Sequence, residues 1–331
     1  MRVLFVGGTG NISTDCVLNA CKRGWEVSVM NRGNHPERMP DGVQLLKADA
    51  RNAAEVRDAI DGMEFDAVAN FIIFTPEQLL GDLEIFTGRT RQYLFISSAS
   101  VYHKPLTHHL VTESTPAYNP FWDYSQNKIA CEQVLREAYA SKGFPATVVR
   151  PSHTYSTGWL ISTFARDYTT AARMLAGKEV VVHGDGETLW TLTHTQDFAV
   201  GFNGLVGNPA AVGETFHITS DFVYTWNAIH RILARELGVD AKIVHVPSDV
   251  IARIAPEGGP GLLGDKAHCL IFDNTKIRRF VPEFRPRISY PEAVRSTLSW
   301  FEAHPELKTV DPGAEKLTNR VLEVWATLTI D

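Results

Sequence analysis

Cysteine is scarce in this sequence: four among 331 residues, Cys16, Cys21, Cys131 and Cys269, none at the CxxC spacing of redox or zinc sites. Cys16 and Cys21 fall in one predicted helix, too far apart along its axis to bridge comfortably, so reduced thiols in a cytoplasmic setting are expected. Positive charge is in deficit too. Lys and Arg number 32 against 38 Asp and Glu, a net of -6, which leaves no general field to collect phosphate backbones and makes nucleic acid a poor default partner. No apolar run reaches the length of a membrane span, and the opening MRVLFVGGTG enters an apolar strand without a basic leader or cleavage site. A soluble, uncleaved chain is expected. Internal repeats, low-complexity stretches and interdomain linkers are also lacking. His108 and His109, with His103 nearby, have no carboxylate or cysteine at a ligand spacing and read as a polar loop, so no metal is expected.

The content that is there, 44% hydrophobic and 21% charged, suits one large core with room for a smaller lobe. Short apolar runs at Arg2–Val6, Glu26–Met30, Val43–Lys47, Ala67–Phe71, Tyr93–Ser97 and Thr147–Arg150 alternate with amphipathic stretches. That rhythm predicts an α/β fold: a Rossmann-type doubly wound parallel sheet over residues 1–155, with chemistry at the carboxyl ends of its strands. Residues 156–331 read as a mixed α/β substrate-binding lobe that partly completes the sheet, with helices over Phe164–Ala176, Asp197–Leu205 and Trp226–Gly238. The apolar stripe of the last of these reads as core or a dimer face, and Pro256–Gly264 as a loop.

The first strand ends in Gly7-Gly8-Thr9-Gly10-Asn11-Ile12-Ser13 and runs straight into a helix. Gly7 permits a tight turn, Gly10 a close backbone approach to a pyrophosphate, and Asn11 and Ile12 lie at the helix N-terminus, where unpaired N–H groups face the anion. A sharp strand-to-helix connection is the competing reading. After the second strand stand Asn31-Arg32-Gly33, with no carboxylate to repel a phosphate, and a guanidinium there would pair with a 2′-phosphate. Arg32 therefore favours NADP(H) over NAD(H), against the alternative of an exposed surface arginine. Asp49 and Ala50 follow the third strand, where Asp49 is placed either to meet the adenine amino group or to cap the next helix.

Tyr124 and Lys128 are four apart, on one face of a helix, where an ammonium would lower the phenol's pKa and make Tyr124 a proton donor and acceptor. Ser97, Ser98 and Ser100 end the fifth strand, where a hydroxyl would hold the reacting oxygen. A half-buried tyrosine beside a solvated lysine, and serines that merely end a strand, are the bland alternatives.

Taken together, GGTGNIS at 7–13, SSASVY at 97–102, YSQNK at 124–128 and VVRPSHTY at 148–155 occur in the order found in the extended short-chain dehydrogenase/reductases. Over most of its length the chain resembles that group, the NAD-dependent epimerase/dehydratase family. The resemblance implies an NAD(P)-dependent enzyme with Ser98 as the catalytic hydroxyl, Tyr124 as acid/base, Lys128 on the nicotinamide ribose, and Pro151 to His153 bordering the nicotinamide.

The sequence also departs from the family pattern. Ala99 and Ser100 stand where sugar dehydratases carry an Asp-Glu pair, and Trp190 where an arginine grips a substrate diphosphate. Trp190 and His194 are then candidates either for stacking on and bonding a substrate or for simple packing. Asn70, with Ile72 and Ile73, replaces the histidine and small residues expected after the fourth strand, beside the pyrophosphate. Two functions remain in competition. One is an oxidoreductase or epimerase acting on a hydroxyl or keto carbon of a sugar-like or polyol substrate, a homodimer being in keeping with the family. The other is a non-catalytic nucleotide-binding or RNA-associated protein on the same fold, which Asn31-Arg32-Gly33 favours and the net charge opposes.

Overall fold

Val3 and Phe5 face one side of a sheet and Leu4 and Val6 the other, all four buried, which is why the first strand reads as an unbroken apolar run. In the computed structural model, which describes residues 1–328, the strands of the first half are β1 (Arg2–Val6), β2 (Glu26–Asn31), β3 (Gln44–Lys47), β4 (Ala67–Asn70), β5 (Tyr93–Ile96), β6 (Leu110–Val111) and β7 (Ala146–Pro151). They are followed by β8 (His153–Tyr155), β9 (Val180–His183), β10 (Leu189–His194), β11 (Thr215–Ile218) and β12 (Val223–Thr225). The helices that bear on the site are α1 (Asn11–Lys22), α2 (Ala53–Ala59), α3 (Pro76–Phe86), α4 (Asp123–Lys142), α5 (Thr169–Leu175), α6 (Thr195–Leu205) and α7 (Trp226–Glu236).

Seven strands form one parallel sheet in the order β11-β7-β5-β4-β1-β2-β3. From β1 the chain winds outward to β3, returns to the other side of β1 at β4, and winds outward again. The reversal opens a crevice at the carboxyl ends of β1 and β4. The second half contributes both β11 and α6, which lies against α1, where Asn203 Nδ2 donates to the Cys16 carbonyl at 2.8 Å. A second core gathers around Trp190, Trp226, Tyr155 and Tyr290, beneath a small sheet of β12, β10 and β8. The apolar stripe of α7 belongs to it: Trp226, Ile229 and Leu233 are fully buried.

Two local expectations are corrected. The helix foreseen over Phe164–Ala176 begins only at Thr169, because the preceding chain folds back on itself, Ser162 N bonding the Ala165 carbonyl and Leu160 N that of Arg166. The stretch foreseen as a loop, Pro256–Gly264, contains the helical turn Gly259–Gly261 and the start of a wider turn, Leu262–Lys266. Its glycines let it dock rather than float: a Cβ on Gly264 would stand 2.9 Å from the Trp122 Cβ. Among the described residues, all four cysteines are free, no helix is long and apolar enough to cross a membrane, and no cluster of metal-ligating side chains occurs.

Candidate active site

The phosphate turn is built by three small residues. Gly7 has φ +85°, in the left-handed region, and a Cβ there would meet Ile72 Cγ2 at 2.5 Å. Ser13 staples the turn, its Oγ donating to the Gly7 carbonyl at 2.6 Å and accepting from Gly10 N at 2.9 Å. The first-turn N–H groups of α1 are left for a ligand, and Gly10, exposed and without a side chain, lets one approach them. Beside the turn, Asn31 Nδ2 reaches Thr9 Oγ1 at 3.5 Å and Arg38, a residue sequence reasoning passed over, donates to the Thr9 carbonyl at 3.2 Å. Arg32 is exposed and has no side-chain partner among the described residues. The turn, the free N–H groups and the cations suit a dinucleotide.

On α4, Tyr124, Lys128 and Glu132 lie at successive four-residue steps and so share one face. Glu132 is the anchor. It is 4% exposed, accepts from Arg150 Nε of β7 at 2.9 Å and from Ser97 Oγ at the end of β5 at 2.5 Å, and so locks the helix to two strands. Lys128, 1% exposed, donates to the carbonyls of Ile73 at 2.5 Å and Ile96 at 2.6 Å. An ammonium has three N–H donors, so one is left for the cavity. Ser98 Oγ pairs with Ser100 Oγ at 2.9 Å, and Ser125 Oγ donates to Ser100 Oγ at 2.7 Å, a hydroxyl row just past the end of β5.

These parts meet in a cavity of about 460 Å³, in the range of small-molecule sites. Of the residues singled out from sequence, Gly7, Gly10, Asn11, Ile12, Ser98, Ser100, Tyr124, Lys128, Pro151 and His153 line it. Others do not. Trp190 is 1% exposed and packs in the second core against Trp226, and His194 caps α6 by accepting from Gln196 N, so both are packing residues rather than substrate contacts. Asn70 turns inward to donate to Asp82 at 2.6 Å. Asp49 accepts from Arg51 N, and it is Asn52 that caps α2, which removes the capping role offered for Asp49. Ala50 follows it, outside the cavity lining.

The electrostatics correct one expectation outright. Burial raises the Tyr124 phenol above its ordinary pKa; a hydrogen bond from Ser98 opposes the rise, and the nearby charges are Asp265, which adds to it, and Arg166, which counters it. Lys128, held on two carbonyls with its Nζ 5.8 Å from the centre of the phenol ring, does not offset that rise, and burial brings its own pKa down to about 8. Burial also holds His153 well below its usual value, hence neutral. Sequence reasoning missed the far wall: Trp122, whose ring lies 4.8 Å from that of Tyr124, together with Trp159, Arg166 and Asp265. Only Trp122, two residues before the tyrosine, carried a local signal.

Comparison with known proteins agrees with this geometry. The chain is 27% identical over 318 residues to 2'-dehydrokanamycin reductase of Streptomyces kanamyceticus, covering 95% of this chain and 88% of the relative. It is 25% identical over 259 residues to the chloroplast stem-loop binding protein of 41 kDa b of Arabidopsis thaliana, covering 74% and 65%. Among solved structures, the epimerase Mth375 of Methanothermobacter thermautotrophicus superposes with a TM-score of 0.77 at 17% identity, over 93% and 94% of the two chains. With the model of the NAD dependent epimerase/dehydratase family matching residues 3–219, through the whole parallel sheet and the cavity's cofactor side, the chain belongs to that family, as an enzyme of the extended short-chain dehydrogenase/reductase type.

Proposed function

We propose that the protein is an NADP(H)-preferring reductase or dehydrogenase for a keto or hydroxyl carbon of a sugar-like substrate. The observation that carries this reading is the convergence of Ser98, Tyr124 and Lys128 on the cavity that the glycine turn opens. A bound nicotinamide dinucleotide supplies the hydride donor or acceptor. Gly7, Gly10 and the free N–H groups of α1 hold its pyrophosphate, and Arg32, backed by Arg38, attracts a 2′-phosphate. The remaining N–H of Lys128 binds a ribose hydroxyl.

Ser98 Oγ holds the substrate oxygen, and Tyr124 hands it a proton as the carbonyl carbon is reduced, or takes that proton back in oxidation. Burial keeps the Tyr124 phenol protonated at neutral pH, as it must be to act as the acid when a carbonyl is reduced. Likeness to a relative named as a reductase supports the reductive direction. Tyr124→Phe should lower turnover about 10²–10⁴-fold and leave dinucleotide affinity nearly intact. Unchanged turnover would remove Tyr124 as the acid. Tight, salt-sensitive RNA binding that survives the same substitution would transfer support to the RNA-associated reading.

A further inference from the structure

Resting on the oxidoreductase reading of this cavity, the geometry points to an uncharged sugar or polyol, free of nucleotide diphosphate, as the substrate class, with Asp265 as its hydrogen-bond acceptor and Arg166 as its donor. Both residues line the cavity beside Tyr124 and also the adjoining one that reaches Gly258–Leu262. Neither has a side-chain hydrogen-bond partner among the described residues, Arg166 being exposed. Asp265 Oδ1 is buried without a hydrogen-bond partner, although no carboxylate oxygen is left so without loss. Among the described residues the Arg166 guanidinium bonds no side chain and rests over the Trp159 ring at 5.4 Å.

Two opposite charges facing one space select against both signs. An anionic group drawn to Arg166 meets the Asp265 carboxylate, and an ammonium drawn to Asp265 meets Arg166. A hydroxyl donates and accepts, so neighbouring hydroxyls satisfy both walls at once. Of the other charges nearby, Lys266 spends one N–H on the Thr163 carbonyl at 2.6 Å and faces the Trp226 ring, and Lys104, buried with its Nζ unpartnered, lies outside the lining of both cavities. At the rim, Glu257 is paired with Arg320, and Asp123 lies exposed in the first turn of α4, where the helix dipole favours it. Trp122 and Trp159 add apolar ring faces of the kind that cover the C–H side of a sugar. A diphosphate finds no such fit: among the described residues Arg166 is the one cation that lines both cavities, and position 190 is a buried tryptophan.

The test is titration calorimetry on NADP-loaded protein with neutral methyl hexosides and myo-inositol, the matching uronides and aminosides, and UDP-glucose. At least one neutral compound should bind about tenfold more tightly than its charged counterparts, and UDP-glucose should gain nothing over the neutral glucoside. Asp265→Asn should lift the penalty on the uronide, and Arg166→Gln that on the aminoside, with melting curves confirming that both variants fold. A purely structural role for either residue leaves the charge ranking unchanged, and that result overturns the proposal. So does tighter binding of a uronide, an aminoside or UDP-glucose by the wild type, or binding of none of the panel. Failure to bind the dinucleotide defeats the oxidoreductase reading itself, whereas dinucleotide binding with a charged-ligand preference defeats only the substrate class.

Discussion

Glu132→Gln perturbs the buried ion pair that ties the helix carrying Tyr124 and Lys128 to β5 and β7. The carboxylate is 4% exposed and receives Arg150 Nε at 2.9 Å, a second Arg150 nitrogen and Ser97 Oγ, while Arg150 is itself 4% exposed. The amide has the same shape but no charge, and one of its two heads is a donor facing donors. The guanidinium is left buried without a counter-charge, since its other contacts are the Glu113 carbonyl and the Tyr102 ring. Removing one partner of a buried pair costs about 3–5 kcal/mol. A domain holds about 5–15 kcal/mol in all, so the variant should unfold at markedly lower urea while keeping its m-value. Replacing both partners, as Glu132→Leu with Arg150→Met, should restore most of that stability, because the charge to be solvated is gone. It should not restore turnover, since Ser97 then loses its partner and the tie between α4 and the strand ends that carry Ser98 is broken. A Glu132→Gln variant within about 1 kcal/mol of wild type, or a double variant no more stable than the single one, would refute the electrostatic anchor.

Arg32→Asp should weaken NADP(H) about 10–100-fold while changing NAD(H) little, measured by quenching of intrinsic fluorescence, and equal effects on both would count against a 2′-phosphate contact. Gly7→Ala should destabilise the chain by about 2–4 kcal/mol and abolish dinucleotide binding, because the new methyl meets Ile72 at 2.5 Å on a left-handed backbone; a normal melting temperature would contradict the turn geometry. Acid should destabilise the fold. Burial lowers His183 to about 3 and His194 and His230 to about 4, while Asp82 and Asp265 rise to about 6. Between pH 4 and 6 the unfolded chain thus takes up these histidine protons and the folded chain keeps the carboxyl protons. His153, His217 and His268, also lowered, tip the balance further towards the unfolded state. Stability should fall by ~1.4 kcal/mol per pH unit for each net proton as the pH drops from 6.5 to 4. Urea curves that move to higher midpoints in that window would reverse the sign.

What was legible in the sequence is what local periodicity encodes. The buried run Val3–Val6 and the glycine turn after it announce a strand, a left-handed step and a helix start, because each is set by residues within one or two turns. Tyr124 and Lys128 were legible as neighbours because a helix repeats that way, but the spacing says nothing about where the ammonium points. The carbonyls of Ile73 and Ile96, supplied by two other segments, draw it away from the phenol, and the expected drop in the tyrosine's pKa is replaced by a rise. Arg166 shows the same limit from the other side. Its apolar surroundings resemble a helix face, yet Ser162 and Leu160 turn the chain back through backbone bonds, which places the guanidinium at the cavity. Asp265 lies in a glycine-rich stretch that docks through contacts remote in sequence, Trp122 and Asn119 meeting Gly264 and Asn119 Nδ2 donating to its carbonyl at 2.7 Å. The cofactor side of the site is therefore written in one βα unit and one helix, whereas the substrate wall is assembled from three segments with no shared period. That division is a physical reason why relatives named as a reductase, a decarboxylase and an epimerase can share one fold: the far wall can change residue by residue without disturbing the glycine turn and its helix.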